Sequence, residues 1–140
     1  MKLKINSILL TLSITLYLLA LYFPALGCNY FGADSARYTI STGFIILISG
    51  WLGIFVLNFA WLANVTYFIT LFLIFKKRSK ILFFASANLI LGMSSLFLYF
   101  DKTQEVGLYL GFYLWIGSFI LLIMDAVIKN DTLKHQNKNK

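Results

Sequence analysis

Asp125 stands four residues before Lys129 in LLIMDAVIKN and is the only carboxylate inside a long apolar run of this sequence. Acids at membrane depth serve proton relays and ion sites, so Asp125 is a candidate for that chemistry. A local Asp-to-Lys pair one helical turn apart is the structural alternative. Asn58, Asn64 and Asn88 are the other polar groups embedded in apolar sequence. A carboxamide both donates and accepts, so each can bond backbone groups freed at a helix break or reach a neighbouring helix. Cys28 is the single cysteine, which excludes an internal disulfide, a CxxC redox pair and a thiolate metal cluster. His135 lies in the polar tail KHQNKNK, and Asp101 and Glu105 share the short segment DKTQEV with Lys102, so all three read as solvated groups. There is no GxSxG, no HExxH, no phosphate-binding P-loop and no acid pair within one apolar segment. The expectation is a protein that is not an enzyme and carries no catalytic, metal or cofactor site.

The elements that must hold these residues follow from composition. Apolar residues make up 60% of the chain and charged residues only 12%, against about 25% charged in ordinary soluble domains. Such a chain cannot cover a globule with polar surface, and the expectation is a single multi-pass membrane domain. The net charge of +7 sits in short clusters beside apolar segments, not along one polar face. These clusters read as topology signals and not as a nucleic-acid surface.

The first apolar segment runs from about residue 5 to 23, with Pro24 just beyond it. A lipoprotein-type signal ending in ALGC, with Cys28 lipidated, is the alternative. Ala25 and Leu26 fit that cleavage pattern poorly, so a retained helix is preferred. Segments 81–100 and 107–128 each suit one bilayer crossing, and DKTQEV between them allows only an antiparallel hairpin. The run from Tyr38 to Phe75 has no charge, and as one helix it would be about 57 Å long against a hydrocarbon core of about 30 Å.

Two topologies compete for that run. Four crossings with cytoplasmic termini place every Lys and Arg except Arg37 and Lys102 inside. Five crossings move Lys2 and Lys4 out and Arg37 in, which is slightly less favourable. Length favours four, because a separate crossing over 61–75 is shorter than the roughly 17 residues needed. The crossing then spans 54–75, preceded by a re-entrant or interfacial half-helix over 38–53 hinged at Gly43, Gly50 and Gly53. Trp51 and Trp61 are expected to anchor it near an interface. The fold class is thus all-α, a four-helix membrane bundle with a basic cytoplasmic tail over 129–140.

Small and polar residues mark the packing faces. Ala85, Asn88, Gly92 and Ser95 share one helical face, as do Gly107, Gly111, Ser118 and Asp125, beginning with a GxxxG spacing. These faces are expected to pack within the molecule, since close backbone approach drives association in lipid; a homodimer or a partner's helix on Gly107 and Gly111 is the alternative.

FPALG at 23–27, GWLG at 50–53, FAWLAN at 59–64 and GFYLWIGSFILLI at 111–123 together resemble a family of small four-helix bacterial inner-membrane proteins. In that pattern a proline usually follows WLAN, where this chain has Val65. The resemblance implies location and architecture, and the family carries no established activity. By contrast, small multidrug transporters have a glutamate in the first helix, which INSILLTLSITLYLLALYF lacks, and four-helix thiol oxidoreductases need paired cysteines. Beyond the lipid bilayer, the expected partner is a membrane protein or a second copy of the chain. The expected role is that of a non-enzymatic accessory or protective membrane factor. Alternatives are an oligomeric small-solute transporter or channel using Asn58, Asn64, Asn88 and Asp125, and immunity to a membrane-active toxin.

Overall fold

The computed structural model describes residues 2–32, 35–56, 59–76, 80–96 and 106–138. Helix α1, Lys2–Tyr22, ends where Pro24 opens strand β1, Pro24–Gly32. Proline has no N–H to give a ladder and is tolerated at a strand's first residue. Strand β2, Ser35–Thr42, returns antiparallel to β1, in register from Gly32 opposite Ser35 to Gly27 opposite Ile40 and shifted between Pro24 and Leu26. A short α2, Gly43–Ser49, then runs into a 3₁₀ helix, Gly50–Val56. Helices α3, Leu62–Phe75, and α4, Ile81–Met93, follow. Strand β3, Val106–Leu108, pairs antiparallel with β1, and the long helix α5, Leu110–Lys138, completes the described fold. The sheet order is β2-β1-β3.

The molecule is mostly helical, but the all-α expectation is corrected by this sheet. Residues 38–42, assigned from sequence to the half-helix, belong to β2, and Gly107 belongs to β3 and not to a helix. The reason is visible in ARYTIST, where Tyr38 and Ile40 alternate with Arg37, Thr39 and Ser41, the period of two that suits a strand. The expected crossing over 54–75 is also shortened: 54–56 lie in the 3₁₀ helix and α3 starts at Leu62. Three successive i to i−3 bonds, Leu62 N–H to Phe59 O, Ala63 N–H to Ala60 O and Asn64 N–H to Trp61 O, wind the chain tightly into α3. Among the described residues one helix, Leu110–Asp131, is long and apolar enough to cross a membrane; Ile8–Tyr22, Gly43–Phe55, Leu62–Phe75 and Ile81–Met93 are shorter apolar helices.

Tyr17, Ala63, Tyr67, Ile74, Ile81, Ala85, Phe119, Leu122 and Ala126 form one buried core contributed by α1, α3, α4 and α5. Glycines set the closest approaches. A Cβ on Gly111 would lie 2.7 Å from the carbonyl oxygens of both Phe23 and Pro24, and one on Gly43 would collide with the Ala20 carbonyl. The start of α5 and the start of α2 are thereby seated on the outgoing end of α1. On α4, a Cβ on Gly92 would lie 2.8 Å from the Phe119 ring. The small-residue faces of α4 and α5 are therefore consumed inside the molecule, with Ala85, Asn88, Ser118 and Asp125 fully buried.

Candidate functional site

Asn64 occupies the first turn of α3 and is the hub of a buried polar cluster. Its Oδ1 accepts from the Tyr17 hydroxyl at 2.9 Å and from Trp115 Nε1 at 2.9 Å. Indole N–H only donates, so the atom facing Trp115 is the carboxamide oxygen, which fixes the orientation of the amide. One side chain thereby ties α3 to both α1 and α5. Below it the Tyr17 and Tyr67 rings stack at 4.3 Å and 8°. Ser13 gives its single proton to the Ser118 carbonyl at 2.8 Å, so at 3.1 Å the Tyr67 hydroxyl donates to Ser13.

The hydroxyls in and around this cluster are bonded to carbonyls: Ser13 donates to the Ser118 carbonyl, Thr70 and Ser118 donate within their own helices, and Ser95, just beyond α4, donates to the Gly92 carbonyl. Among the described residues no three His, Cys, Asp or Glu side chains converge on a metal position.

Directly beside Asn64 lies a partly open cavity of about 260 Å³, bordered by the end of α1, β1, the end of β2, α2, the 3₁₀ helix, the turn after α4 and the starts of α3 and α5. Ala20, Leu21, Ala25, Leu26, Ile46, Leu47, Ala60 and Phe112 supply apolar wall, and Trp61, Trp115, Ser41 and Asn64 also line it. The roof is held by Trp61, whose Nε1–H donates to the Leu47 carbonyl at 2.7 Å. That bond returns the chain at residue 61 to the middle of α2. Gly43 touches Ala20 and Asn64 bonds Tyr17, residues within one turn of each other on α1. The segment between them leaves and regains the same end of the bundle.

The remaining sequence candidates are placed as follows. Asn88 is fully buried on α4, with a long 3.4 Å contact between its Oδ1 and the Thr66 hydroxyl and no partner for its Nδ2. Asp125 is fully buried on α5; Lys129 Nζ reaches its Oδ2 at 2.8 Å, while its Oδ1 has no partner. Gly111 is buried beneath the α1–β1 junction, and Gly107 pairs opposite Gly27 in the sheet, so the GxxxG spacing does not lie on one helix. Asn58 lies outside the described residues. Asn64, Asn88 and Asp125 are thus not brought together into one site. The hub instead recruits Tyr17, Tyr67, Ser13 and Trp115, whose signal in sequence is a polar tip inside an apolar helix, with Ser13 and Tyr17 one turn apart.

No protein-family model, no curated protein and no solved structure matches this chain.

Proposed function

We propose that this is a four-crossing protein of a bacterial cytoplasmic membrane, both termini inside, acting without catalysis as an accessory or protective factor through association with a membrane partner. The observation that carries the reading is the exposed apolar face on each of α1, α3, α4 and α5. Leu12 and Leu19 on α1, Val65, Phe68, Phe72 and Phe75 on α3, Phe83 and Ile90 on α4, and Tyr113, Ile120, Met124 and Val127 on α5 are all exposed. They recur at helical spacing, as the lipid-facing side of a bundle must. The re-entrant path from Gly43 to Asn64 supports four crossings over five, because a fifth would have to end at the opposite side of the bundle. The resemblance of FPALG, GWLG, FAWLAN and GFYLW to small inner-membrane proteins supports the same location.

Association is the expected mode, since among the described residues the buried serine and threonine hydroxyls donate to backbone carbonyls. Purification in mild detergent followed by cross-linking tests it: a partner or second copy is recovered in stoichiometric amount. Recovery of monomer alone, across several detergents, would contradict the association. A second reading, a solute transporter or channel, is favoured by one observation, the unpartnered Asn88 Nδ2 and Asp125 Oδ1. An unchanged flux in reconstituted vesicles after Asn88→Leu and Asp125→Asn would remove it.

A further inference from the structure

We propose that the cavity beside Asn64 binds a small uncharged amphiphile, an apolar body carrying one ester or ketone oxygen, drawn from the lipid phase.

Charge excludes most other ligands. Among the described residues no Asp, Glu, Lys, Arg or His lines the cavity. An ion or zwitterion would be stripped of water there without a partner, at a cost of several kcal/mol. Volume limits what can be seated: about 260 Å³ lies just below the roughly 300 to 1,000 Å³ of drug-sized sites, which leaves room for about a dozen heavy atoms.

Hydrogen-bond inventory sets the polar requirement. Asn64 Oδ1 already accepts twice, so what the carboxamide can offer a ligand is N–H. Both indole N–H groups are committed, Trp61 to Leu47 and Trp115 to Asn64. Ser49 and Ser95 donate to the carbonyls of Ile45 and Gly92. The polar contacts open to a ligand are therefore the Asn64 amide and the Ser41 hydroxyl, both able to donate, and their match is a carbonyl oxygen on an otherwise apolar molecule. The oxygen can belong to an uncharged lipid ester, such as an acylglycerol, or to a free small molecule.

The inference uses the proposed membrane location for the source of the ligand and not for the cavity, so the two fail separately. The full chain in nanodiscs is irradiated with a C8 fatty-acid methyl ester bearing a mid-chain diazirine, and adducts are mapped by peptide mass. The expected result is saturable labelling of the walls around Leu47, Trp61 and Phe112, competed by methyl octanoate at least ten-fold better than by octanoate or octane. Two substitutions that fill the cavity from opposite sides, Ala60→Leu and Leu26→Trp, are each expected to abolish it while labelling of the outer helix faces persists. That persistence, with an unshifted size-exclusion profile, tells filling from misfolding. Non-saturable labelling confined to Phe68, Phe72 and Phe83 would overturn the site, as would retention of cavity labelling in both filled variants. Equal competition by octane would overturn the carbonyl requirement, and equal competition by octanoate the exclusion of charge. Native mass spectrometry of the protein as purified separates the sources: a retained acylglycerol mass assigns a lipid ester, bare protein that takes up methyl octanoate assigns a free molecule, and a retained phospholipid mass would overturn the exclusion of charge.

Discussion

Asn64 and Asn88 are both asparagines buried at the helix interfaces, yet their partners give them opposite energetic roles. Asn64→Leu strands the Tyr17 hydroxyl and the Trp115 indole N–H in apolar surroundings. Unpaired buried donors cost about 1 to 3 kcal/mol each, and interhelical bonds in membranes average about 0.6 kcal/mol, so the expected loss is about 2 to 4 kcal/mol. Asn88→Leu removes one 3.4 Å contact and an amide nitrogen that has no partner, so its stability is expected to stay within about 1 kcal/mol of wild type or to rise. Reversible unfolding in bicelles measures both, and equal losses would contradict the assignment of Asn64 as hub. Asp125 and Lys129 give a second test through a double-mutant cycle. Lys129→Met leaves a fully buried carboxylate without its cation and is expected to cost about 3 to 5 kcal/mol, while Asp125→Leu with Lys129→Met recovers most of that loss. The identities of the buried polar residues were legible in sequence because they interrupt apolar runs. Which of them meet was not, because helical period assigns a face and says nothing of the neighbour opposite Asn64.

At the scale of elements, helix seating turns on single hydrogens. Gly111→Ala drives a methyl against two backbone carbonyls that cannot move aside, with an expected loss of about 1 to 3 kcal/mol. Gly117→Ala, on the same helix, meets only the Leu16 side chain at an ordinary 3.6 Å and is expected to be neutral or to gain up to about 1 kcal/mol from helix propensity. Thermal unfolding of the two variants side by side checks the contrast, and equal effects would contradict the seating. The helices around Ile81, Gly111 and Ser118 were readable from apolar length and small-residue spacing. The sheet was not, because the charge-free run from Tyr38 was weighed by its length for a membrane. The alternation in ARYTIST, a strand signal over a few residues, was submerged in it. The GxxxG spacing misled for a related reason: Gly107 and Gly111 are four apart in sequence, but the chain changes from strand to helix between them.

For the whole molecule, the account joins a bundle whose helices expose apolar faces to an end built from the sheet, α2 and the 3₁₀ helix. That end roofs an uncharged cavity. The excess length of the run from Tyr38 to Phe75 and its glycines already pointed to a re-entrant segment. Its shape depends on one indole bond from Trp61 to Leu47 that no sequence pattern announces. Helix α1 contributes the buried Ser13, Tyr17 and Ala20.

The measurement that reaches the central claim most directly is thiol labelling of intact cells with a membrane-impermeant maleimide. Single cysteines replace Ser35, Ala63, Ser79 and Gln104 on a Cys28→Ser background. The account predicts labelling at positions 35 and 104 alone, labelling at 79 only after the membrane is opened, and protection throughout at 63, which is fully buried. Labelling at 63 together with protection at 35 would contradict it, because the chain would then cross five times and the re-entrant roof over the cavity would not exist.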